Sequence, residues 1–385
     1  MCMVLSGFSM FAMAKKDDEK VRCIVLFNDK VDKTLVEDKG REILMEYDNI
    51  PAIVTELSGS DIKDLKKSDK IKAVEADAEA QILGDVDDAG KGNAGKPAPG
   101  ETTPWGISKI NAPSVWVQST GSAVKVAIVD TGMDKDHPDL PTAAAGINYV
   151  PARGKLDSNA WDDDNGHGSH CAGIIAAEHG NSIGVKGVAP GVSLYIAKVL
   201  NKSGSGSYTN IVAGIDWAIT NDVDVISMSL GGTDDLAILK DACQRAYDKG
   251  ITIVAAAGNS AGAVMYPAAY STVIAVSATD SSDKYYTYTC HGDAIDVSAP
   301  GVSIYSTYKN GGYSTMTGTS MACPHVVGEI ALVLEDYILK LSTPTKIESL
   351  IENNVVDLAP TGWDEYYGAG RVDASLAYSA AGNLP

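Results

Sequence analysis

Short apolar runs rich in Val, Ile and Ala alternate with helix-like segments over most of the chain after residue 104. Runs that are apolar on both faces are typical of strands in a parallel sheet covered by helices on both sides. Helices are predicted over 167–178, 208–220 and 234–248. The predicted strands are Val124–Val129, Ser193–Leu200, Val223–Met228, Ile251–Ala256 and Val273–Ser277. The pattern therefore predicts a three-layer, parallel-sheet α/β domain, in which ligands bind at the carboxyl ends of the strands.

Residues 20–83 show a different pattern, in which charged residues interrupt shorter apolar runs. The elements are predicted in the order β-α-β-β-α-β, which is the order of a small α+β domain of the ferredoxin-like type. They are Val21–Phe27, 33–43, Leu44–Tyr47, Ala52–Leu57, 61–65 and Ile71–Leu83. Residues 84–103 are rich in Gly, Pro and Asp and predict a flexible linker. We therefore expect a small domain over 20–83, a linker over 84–103 and the large domain over 104–385.

Composition narrows the possible partners. The chain has 385 residues, 45% of them hydrophobic, and a formal net charge of −19. Such a charge without a basic patch argues against nucleic acid as a partner. The acidic balance is explained either by solubility or by binding of a hard cation such as calcium, which prefers oxygen ligands.

The cysteines and the amino terminus bear on the compartment. Six cysteines occur without any C-x-x-C spacing, so neither a zinc ribbon nor a thioredoxin-type motif is indicated, and one disulfide remains possible. Residues 1–19 are interpreted as a secretory signal ending near Ala12-Met13-Ala14, or else as a disordered segment, because the positive amino-terminal region of a signal is missing. The chain contains no run of about 20 apolar residues, so no membrane-spanning helix is predicted.

A candidate nucleophile lies in the stretch Gly318-Thr319-Ser320-Met321-Ala322-Cys323-Pro324-His325. The apolar run that follows predicts a buried helix, so Ser320 would lie at a helix amino terminus, where free N–H groups can stabilise negative charge. A serine needs a neighbouring base to act as a nucleophile. The alternative is that Ser320 is an ordinary N-cap.

Two further residues could complete a catalytic group. Asp130 directly follows the predicted strand Val124–Val129. His167 lies between two glycines in Asn165-Gly166-His167-Gly168 and begins the predicted helix. A buried Asp130 would orient His167, whose other ring nitrogen would take the proton from Ser320. Taken alone, Asp130 could simply form a turn with Gly132. His170 lies three residues after His167, so a metal site is a further alternative, although the H-x-x-H spacing without an adjacent Glu is a weak signal.

Three segments together resemble the signatures of the subtilisin-like serine proteases, and the resemblance extends over about residues 102–380. The Asp-His-Ser order along the chain is that of subtilisin. The resemblance implies a serine endopeptidase that acts on protein and peptide substrates, with Asp130, His167 and Ser320 as catalytic residues. The segments are Asp130-Thr131-Gly132 with His137-Pro138-Asp139-Leu140, Asn165-Gly166-His167-Gly168-Ser169-His170, and Gly318 to His325.

The same resemblance assigns further residues of the site. It implies that the Asn259 side chain and the Ser320 N–H stabilise the oxyanion. It also implies that two backbone edges hold the substrate as an added strand. The implied substrate-binding residues are Gly204, Ser205, Gly206, Ser229, Leu230, Gly231, Ala257 and Gly258. The implied ligands of a structural calcium ion are Glu101, Asp139, Asn181, Ile183 and Val185.

Residues 20–83 resemble the inhibitory propeptide of this family. We therefore expect a secreted, self-processing zymogen that is cleaved between Leu83 and Gly84, with its own propeptide as an intramolecular inhibitor. We further expect a monomer with no organic cofactor. The apolar tail ending at Leu83 suggests a preference for large apolar residues before the scissile bond.

Alternatives and unassigned residues remain at this point. The chain could be a non-catalytic scaffold with the same fold, or a zinc enzyme that uses His167, His170 and Cys171. Cys171 and Cys323 are expected to pack as small buried residues, with a reactive thiol near the site as the alternative. The four aspartates within residues 157–164 could hold a second ion or form a solvated acidic loop. Glu329 has no assigned role.

Overall fold

A nine-stranded sheet is the largest element of the computed structural model, which describes residues 19–86, 100–151, 156–339 and 341–384. Nearly all of the predicted signal segment, and residues 87–99 of the predicted linker, lie outside the described residues. The chain divides into two units. The first contains the described residues up to Asp77 together with Leu236–Ile238, and the second contains the rest.

The first unit has the predicted element order β-α-β-β-α-β. Its antiparallel sheet has the order β2-β3-β1-β4. The elements are β1 (Val21–Phe27), α1 (Thr34–Glu37), β2 (Ile43–Glu46), β3 (Ala52–Leu57), α2 (Gly59–Leu65) and β4 (Ile71–Ala76). Helix α2 begins with a capping box, in which the Ser58 hydroxyl accepts from the Asp61 N–H while the Asp61 carboxylate accepts from the Ser58 N–H. Alternating residues of β1 and β3, such as Val25 and Ile53, form the small core.

Two expectations for this region differ from the structure. The predicted helix over 33–43 covers only Thr34–Glu37. The predicted strand Ile71–Leu83 is interrupted after Ala76, and a separate strand, β5 (Glu79–Ile82), belongs to the second unit. An alternating pattern shows that a segment is extended, but it does not show which neighbours the segment pairs with. The first unit therefore ends at Asp77 rather than at Leu83.

The central sheet of the second unit has the order β18-β19-β15-β14-β13-β11-β7-β9-β8. All its neighbouring strands are parallel except the edge pair β18 and β19. The strands are β7 (Lys125–Asp130), β8 (Ala145–Asn148), β9 (Ser193–Lys198), β11 (Val225–Met228), β13 (Thr252–Ala256), β14 (Val273–Thr279), β15 (Val297–Pro300), β18 (Val355–Val356) and β19 (Arg371–Val372). The predicted parallel-sheet α/β fold is confirmed.

Helices cover this sheet. The helices are α3 (Trp105–Lys109), α4 (His167–Ala176), α5 (Tyr208–Thr220), α6 (Ala237–Asp248), α7 (Thr319–Tyr337), α8 (Pro344–Glu352) and α9 (Ala374–Gly382). Helices α4 and α7 pack against each other and against the sheet, and α5 packs against β7 and β9. Every residue of α7 from Thr319 to Leu334 is buried, as its apolar sequence predicts.

Two small antiparallel sheets lie beside the central one in the second unit. The first has the order β10-β5-β12, with β10 at Ser205–Ser207 and β12 at Leu230–Gly231. The second has the order β16-β17-β6, with β16 at Ile304–Tyr308, β17 at Gly312–Thr317 and β6 at Asp85–Val86. Residues 85 and 86, predicted as flexible linker, are therefore paired strand residues.

Candidate active site

Asp130 and His167 are in direct contact at the carboxyl end of β7. The His167 Nδ1 lies 2.8 Å from Asp130 Oδ1 and 3.0 Å from Oδ2. The Thr131 N–H also donates to Asp130 Oδ1, over 2.6 Å. Both side chains are almost completely buried. The carboxylate therefore fixes the ring orientation of His167 and leaves Nε2 as the free nitrogen.

The start of α4 at His167 depends on glycine. Gly166, directly before the helix, has a φ of +113°, a conformation that side-chain-bearing residues rarely adopt. A Cβ on Gly168 would collide with the carbonyl oxygen of Gly132. These glycines allow the end of β7 and the first turn of α4 to approach closely enough for Asp130 to reach His167.

The pKa of His167 reflects two opposing effects. Complete burial lowers it, because desolvation disfavours the imidazolium, while the adjacent Asp130 carboxylate raises it. The carboxylate prevails, so the pKa of His167 lies well above its ordinary value of 6.5.

Ser320 lies in the first turn of α7, and it is not the N-cap, which is Gly318. Its hydroxyl donates to the carbonyl oxygen of Ser229 over 2.8 Å and accepts from the N–H of Leu83 over 2.9 Å. The buried Nε2 of His167 has no hydrogen-bond partner within the described residues. The three predicted catalytic side chains are each buried. The Ser320 hydroxyl is hydrogen-bonded to Leu83 and to Ser229 rather than to His167.

The Cys171 thiol bonds a carbonyl that Pro324 leaves without a partner in the helix. A proline inside a helix has no N–H, so the carbonyl of the residue four positions earlier, Ser320, loses its helical partner. That carbonyl accepts instead from the Ser229 hydroxyl, over 2.8 Å, and from the Cys171 thiol, over 3.6 Å. The Cys171 thiol thus supports the backbone turn that carries Ser320.

Cys323 also has a buried thiol that donates to a backbone carbonyl. Its thiol donates to the Val254 carbonyl over 3.4 Å and is fully buried, and burial raises its pKa to about 12. The expectation that Cys171 and Cys323 pack as small buried residues agrees with the structure. The five cysteines that the structure describes are all free and buried, so no disulfide forms among them.

The carbonyl oxygen of Leu83 lies at the amino terminus of α7. It accepts from the Ser320 N–H over 3.0 Å and from the Asn259 Nδ2. The Asn259 Oδ1 accepts from the N–H and the hydroxyl of Thr319, each over 3.0 Å, which fixes the direction of the amide. Two donors therefore converge on one carbonyl oxygen, the arrangement that stabilises an oxyanion.

The segment before Leu83 lies between the two predicted backbone edges. Strand β5 pairs with β10 on one side and with β12 on the other. The Ile82 N–H donates to the Gly204 carbonyl over 2.9 Å, and the Leu83 N–H approaches the Ser229 carbonyl at 3.3 Å. This pairing brings together six predicted substrate-binding residues, which are Gly204, Ser205, Gly206, Ser229, Leu230 and Gly231.

The Leu83 side chain is buried beside Gly231 of β12. A Cβ on Gly231 would lie 3.1 Å from Leu83 Cδ1 and 3.3 Å from Met265 Cβ. Ala257 and Gly258 directly follow β13. Gly258 adjoins Cys290 and also Met265, the residue that lies next to Gly231. Met265 was not predicted from the sequence, because nothing in its local pattern distinguishes it from other apolar loop residues.

The proposed zinc site is not assembled. The His170 Nε2 lies 3.1 Å from the carbonyl oxygens of Ile304 and Ser314, so it is bonded to the β16–β17 hairpin. The close group in this part of the described chain consists of Asp130, His167 and Cys171. The thiol of Cys171, whose pKa is raised by burial, remains protonated at neutral pH. The geometry therefore favours the alternative in which His170 is structural.

The predicted calcium ligands converge on the loop after α4. Asn181 Nδ2 donates to Asp139 Oδ1 over 2.6 Å, and the Val185 N–H donates to Asp139 Oδ2 over 2.8 Å. Glu101 accepts from the Gly180 N–H and forms an ion pair with Lys186 at 3.1 Å. Asp139 is fully buried, and burial raises its pKa. The two carboxylates and the amide oxygen are hard donors of the kind calcium binds, so the residue set fits that ion, with the Asn181 amide turned so that its nitrogen faces Asp139.

The acidic loop before α4 differs from both expectations. Asp162 and Asp164 are exposed, as a solvated loop requires, but Asp163 between them is buried and bonded entirely to protein donors. Sequence alone could not separate these three neighbours, because burial of Asp163 depends on how the Thr131 hydroxyl and the first turn of α4 come together.

Glu329 is fully buried in α7, and neither carboxylate oxygen has a hydrogen-bond partner within the described residues. Glu329 therefore forms no hydrogen bond with Asp130, His167 or Ser320. Burial raises its pKa well above the ordinary value, because desolvation disfavours the carboxylate.

None of the described helices is long and apolar enough to cross a membrane.

Comparison with known proteins agrees with this geometry. The model of the subtilase family matches residues 121–370. Subtilisin E of Bacillus subtilis (strain 168) is 38% identical over 388 aligned residues, covering 97% of this chain and 94% of that protein. The thermostable alkaline protease of Halalkalibacterium halodurans is 38% identical, covering 97% of this chain and 98% of that protein. The alkaline protease of Alkalihalobacillus alcalophilus is 40% identical, covering 89% and 83%. The chain therefore belongs to the subtilase family and is a serine endopeptidase.

Proposed function

We propose that the chain is a secreted, self-processing zymogen, in which Ser320 cleaves the bond between Leu83 and Gly84. One observation carries this proposal: the Leu83 carbonyl accepts from both the Ser320 N–H and the Asn259 amide, while residues on both sides of it are paired as strands. The chain runs through the site from β5 to β6 as an uncleaved substrate would.

The chemistry follows from the named atoms. The Ser320 hydroxyl leaves the Ser229 carbonyl, transfers its proton to His167 Nε2, and its oxygen attacks the Leu83 carbonyl carbon. Asp130 stabilises the imidazolium that forms at His167. The Ser320 N–H and the Asn259 amide hold the negative oxygen. The proton then passes from His167 to the Gly84 nitrogen as the C–N bond breaks, and water attacks the resulting acyl-enzyme by the reverse sequence of proton transfers.

The propeptide acts as an inhibitor in this proposal. After cleavage, β5 can keep its backbone bonds to β10 and β12, so the new carboxyl end at Leu83 occupies the site as a product. A substrate would replace β5 as an extended peptide. The buried Leu83 side chain favours a large apolar residue before the scissile bond of such substrates. In this proposal the protein acts as a monomer.

Calcium would be held by Asp139, Glu101 and Asn181, with carbonyls of the same loop, including those of Ile183 and Val185. The ion would supply charge compensation for the buried Asp139 and would fix the loop after α4. Binding requires the Asn181 amide to turn its oxygen toward the ion and Glu101 to leave Lys186. Export to the cell exterior rests on the signal predicted in residues 1–19.

The test is covalent labelling of the processed protein with an organophosphate fluoride, followed by peptide mapping. We expect one label, on Ser320, with loss of peptidase activity. Ser320→Ala and His167→Ala lack the nucleophile and the base, so both should stay full-length and neither should be labelled. A processed wild-type protein that neither labels nor cleaves peptides would instead indicate a binding or scaffold protein.

A further inference from the structure

Asp163 lies between the two elements that carry Asp130 and His167. Its side chain is buried, in contrast to those of Asp162 and Asp164. It accepts five hydrogen bonds. Oδ1 accepts from the Thr131 hydroxyl at 2.9 Å and from the N–H groups of Asn165 and Gly166 at 2.9 and 2.8 Å, while Oδ2 accepts from the Ser169 N–H and hydroxyl at 2.9 and 2.7 Å.

One side of this network reaches Asp130. The Thr131 hydroxyl donates to Asp163, and the Thr131 N–H donates to Asp130 Oδ1 over 2.6 Å. Thr131 is fully buried, so its side chain has no solvent to exchange with. The bond to Asp163 therefore fixes the residue whose backbone N–H sets the position of the Asp130 carboxylate.

The other side reaches His167. The first three N–H groups of α4 would be unpaired in an isolated helix. The His167 N–H donates to the Asn165 side chain, the Gly168 N–H to the Thr131 hydroxyl, and the Ser169 N–H to Asp163. A carboxylate is also favoured at a helix amino terminus by the helix dipole. Asp163 and its partner Thr131 thus bind two of the three N–H groups in the turn that presents His167.

We propose that Asp163 is a positioning residue for catalysis, which holds Asp130 and His167 in register by binding Thr131 and the first turn of α4 at the same time. The proposal rests on the proposed function, because it assumes that Asp130 and His167 act on Ser320. None of the five hydrogen bonds of Asp163 reaches Ser320 or Leu83, so it acts through the residues it holds.

The chemistry requires a carboxylate at this position. An ionised carboxylate accepts on both oxygens, whereas an asparagine of the same shape accepts on one and donates on the other. In Asp163→Asn the amide nitrogen would face either the Ser169 N–H or the group of donors at Oδ1. One side of the link is then lost while the volume is unchanged.

The test uses the full-length chain and the rate of its own cleavage. Wild type, Asp163→Asn and Asp162→Asn are refolded from denaturant, and the first-order loss of intact chain is followed by mass spectrometry. Because the substrate is part of the same chain, the measured rate constant contains no step in which a separate substrate binds. We expect Asp163→Asn to cleave more slowly by a factor on the order of 10², the usual effect of misplacing catalytic groups by about 1 Å. The exposed Asp162→Asn should match the wild type.

The pH dependence separates positioning from loss of folded protein. If His167 moves away from Asp130, its pKa falls, and the midpoint of the rate–pH profile shifts to lower pH in Asp163→Asn and also in Thr131→Val, which leaves every charge in place. A smaller folded fraction would lower the rate equally at all pH values. Wild-type rates with an unchanged midpoint, or a reduction that only follows the folded fraction, would overturn the proposal.

Variants of Thr131 decide the question if Asp163→Asn does not fold. Thr131→Ser keeps the hydroxyl and should retain cleavage close to wild type, whereas Thr131→Val removes it at similar volume and should show the slow rate. Equal rates for Thr131→Ser and Thr131→Val would contradict the proposal. Loss of cleavage in the wild type itself would contradict the proposed function instead, so the two failures are distinguishable.

Discussion

The backbone N–H of Ser320 donates to the carbonyl oxygen of Leu83 over 3.0 Å, and the Asn259 amide donates to the same oxygen. The amide cannot turn freely, because its own oxygen accepts from the Thr319 N–H and hydroxyl. Both donors are therefore in place before charge develops on the Leu83 oxygen. Such preorganised donors stabilise the transition state more than the ground state.

Asn259→Ala should lower kcat of the processed enzyme by a factor on the order of 10²–10³, with KM nearly unchanged, because one of two oxyanion donors is lost. Steady-state kinetics on a peptide p-nitroanilide measures both constants. Asn353→Ala, at the carboxyl end of α8, is the matched control and should behave as wild type. A rise in KM with kcat preserved would show that Asn259 binds substrate but does not stabilise the oxyanion.

The activity of the processed enzyme should increase from neutral into alkaline pH. His167 acts as a base only when it is neutral, and its pKa is raised above 6.5 by Asp130 despite burial. The rate is therefore low at pH values below this pKa and reaches a plateau above it. The measurement is kcat/KM as a function of pH. Its midpoint should lie above 6.5.

Asp130→Asn should lower kcat by a factor of about 10⁴, because the amide cannot hold His167 in the required tautomer. The midpoint of the remaining activity should fall toward lower pH, since the charge that raises the pKa of His167 is gone. An unchanged midpoint would mean that another group controls the profile.

Gly84→Val should slow self-cleavage. A Cβ on Gly84 would lie 2.9 Å from Met321 Sδ and 3.1 Å from Ser320 Cβ, so a branched side chain needs both to move. Overpacking of this kind costs ~1–3 kcal/mol, which corresponds to roughly a 5- to 150-fold loss of rate if it is felt in the transition state. Mass spectrometry of the refolded full-length chain gives the rate. Asp85→Ala changes an exposed neighbour and should cleave normally, whereas equal rates for Gly84→Val and wild type would place the scissile bond elsewhere.

Calcium should raise the midpoint of thermal unfolding relative to EGTA. An ion that binds the folded state at about 100 times its Kd stabilises it by about 2.7 kcal/mol. Asp139→Asn should abolish the difference, because the buried carboxylate is the central predicted ligand. Asp136→Asn alters an exposed aspartate of the same segment and should retain it. Equal midpoints with calcium and EGTA in the wild type would remove this ion from the account.

The sequence predicted five of the nine strands of the central sheet, with ends within two residues of those observed, and it missed β8, β15, β18 and β19. Strands such as β7 and β13 are apolar on both faces, so their type and approximate bounds follow from local pattern alone. The placement of Asp130 and of His167 follows from the same argument, because parallel strands present their carboxyl ends at one edge. The contact between these two side chains was accordingly predictable.

Pairing between distant segments was not predictable. Strand β4 and strand β5 form one alternating run in the sequence, yet they belong to different units because of their partners. The hairpin of β16 and β17 was missed because its strands are rich in Ser, Thr and Tyr rather than in Val and Ile. Burial of Asp163 could not be read either, since three of its five hydrogen bonds come from Thr131 and Ser169.

The most direct test of the central claim is the amino-terminal sequence and mass of the products formed when the purified full-length chain is refolded, in parallel with Ser320→Ala. We expect the wild type to be cleaved between Leu83 and Gly84, so that the large fragment begins at Gly84, and Ser320→Ala to stay intact. A large fragment that begins inside residues 20–83, or cleavage of Ser320→Ala at the same bond, would contradict it.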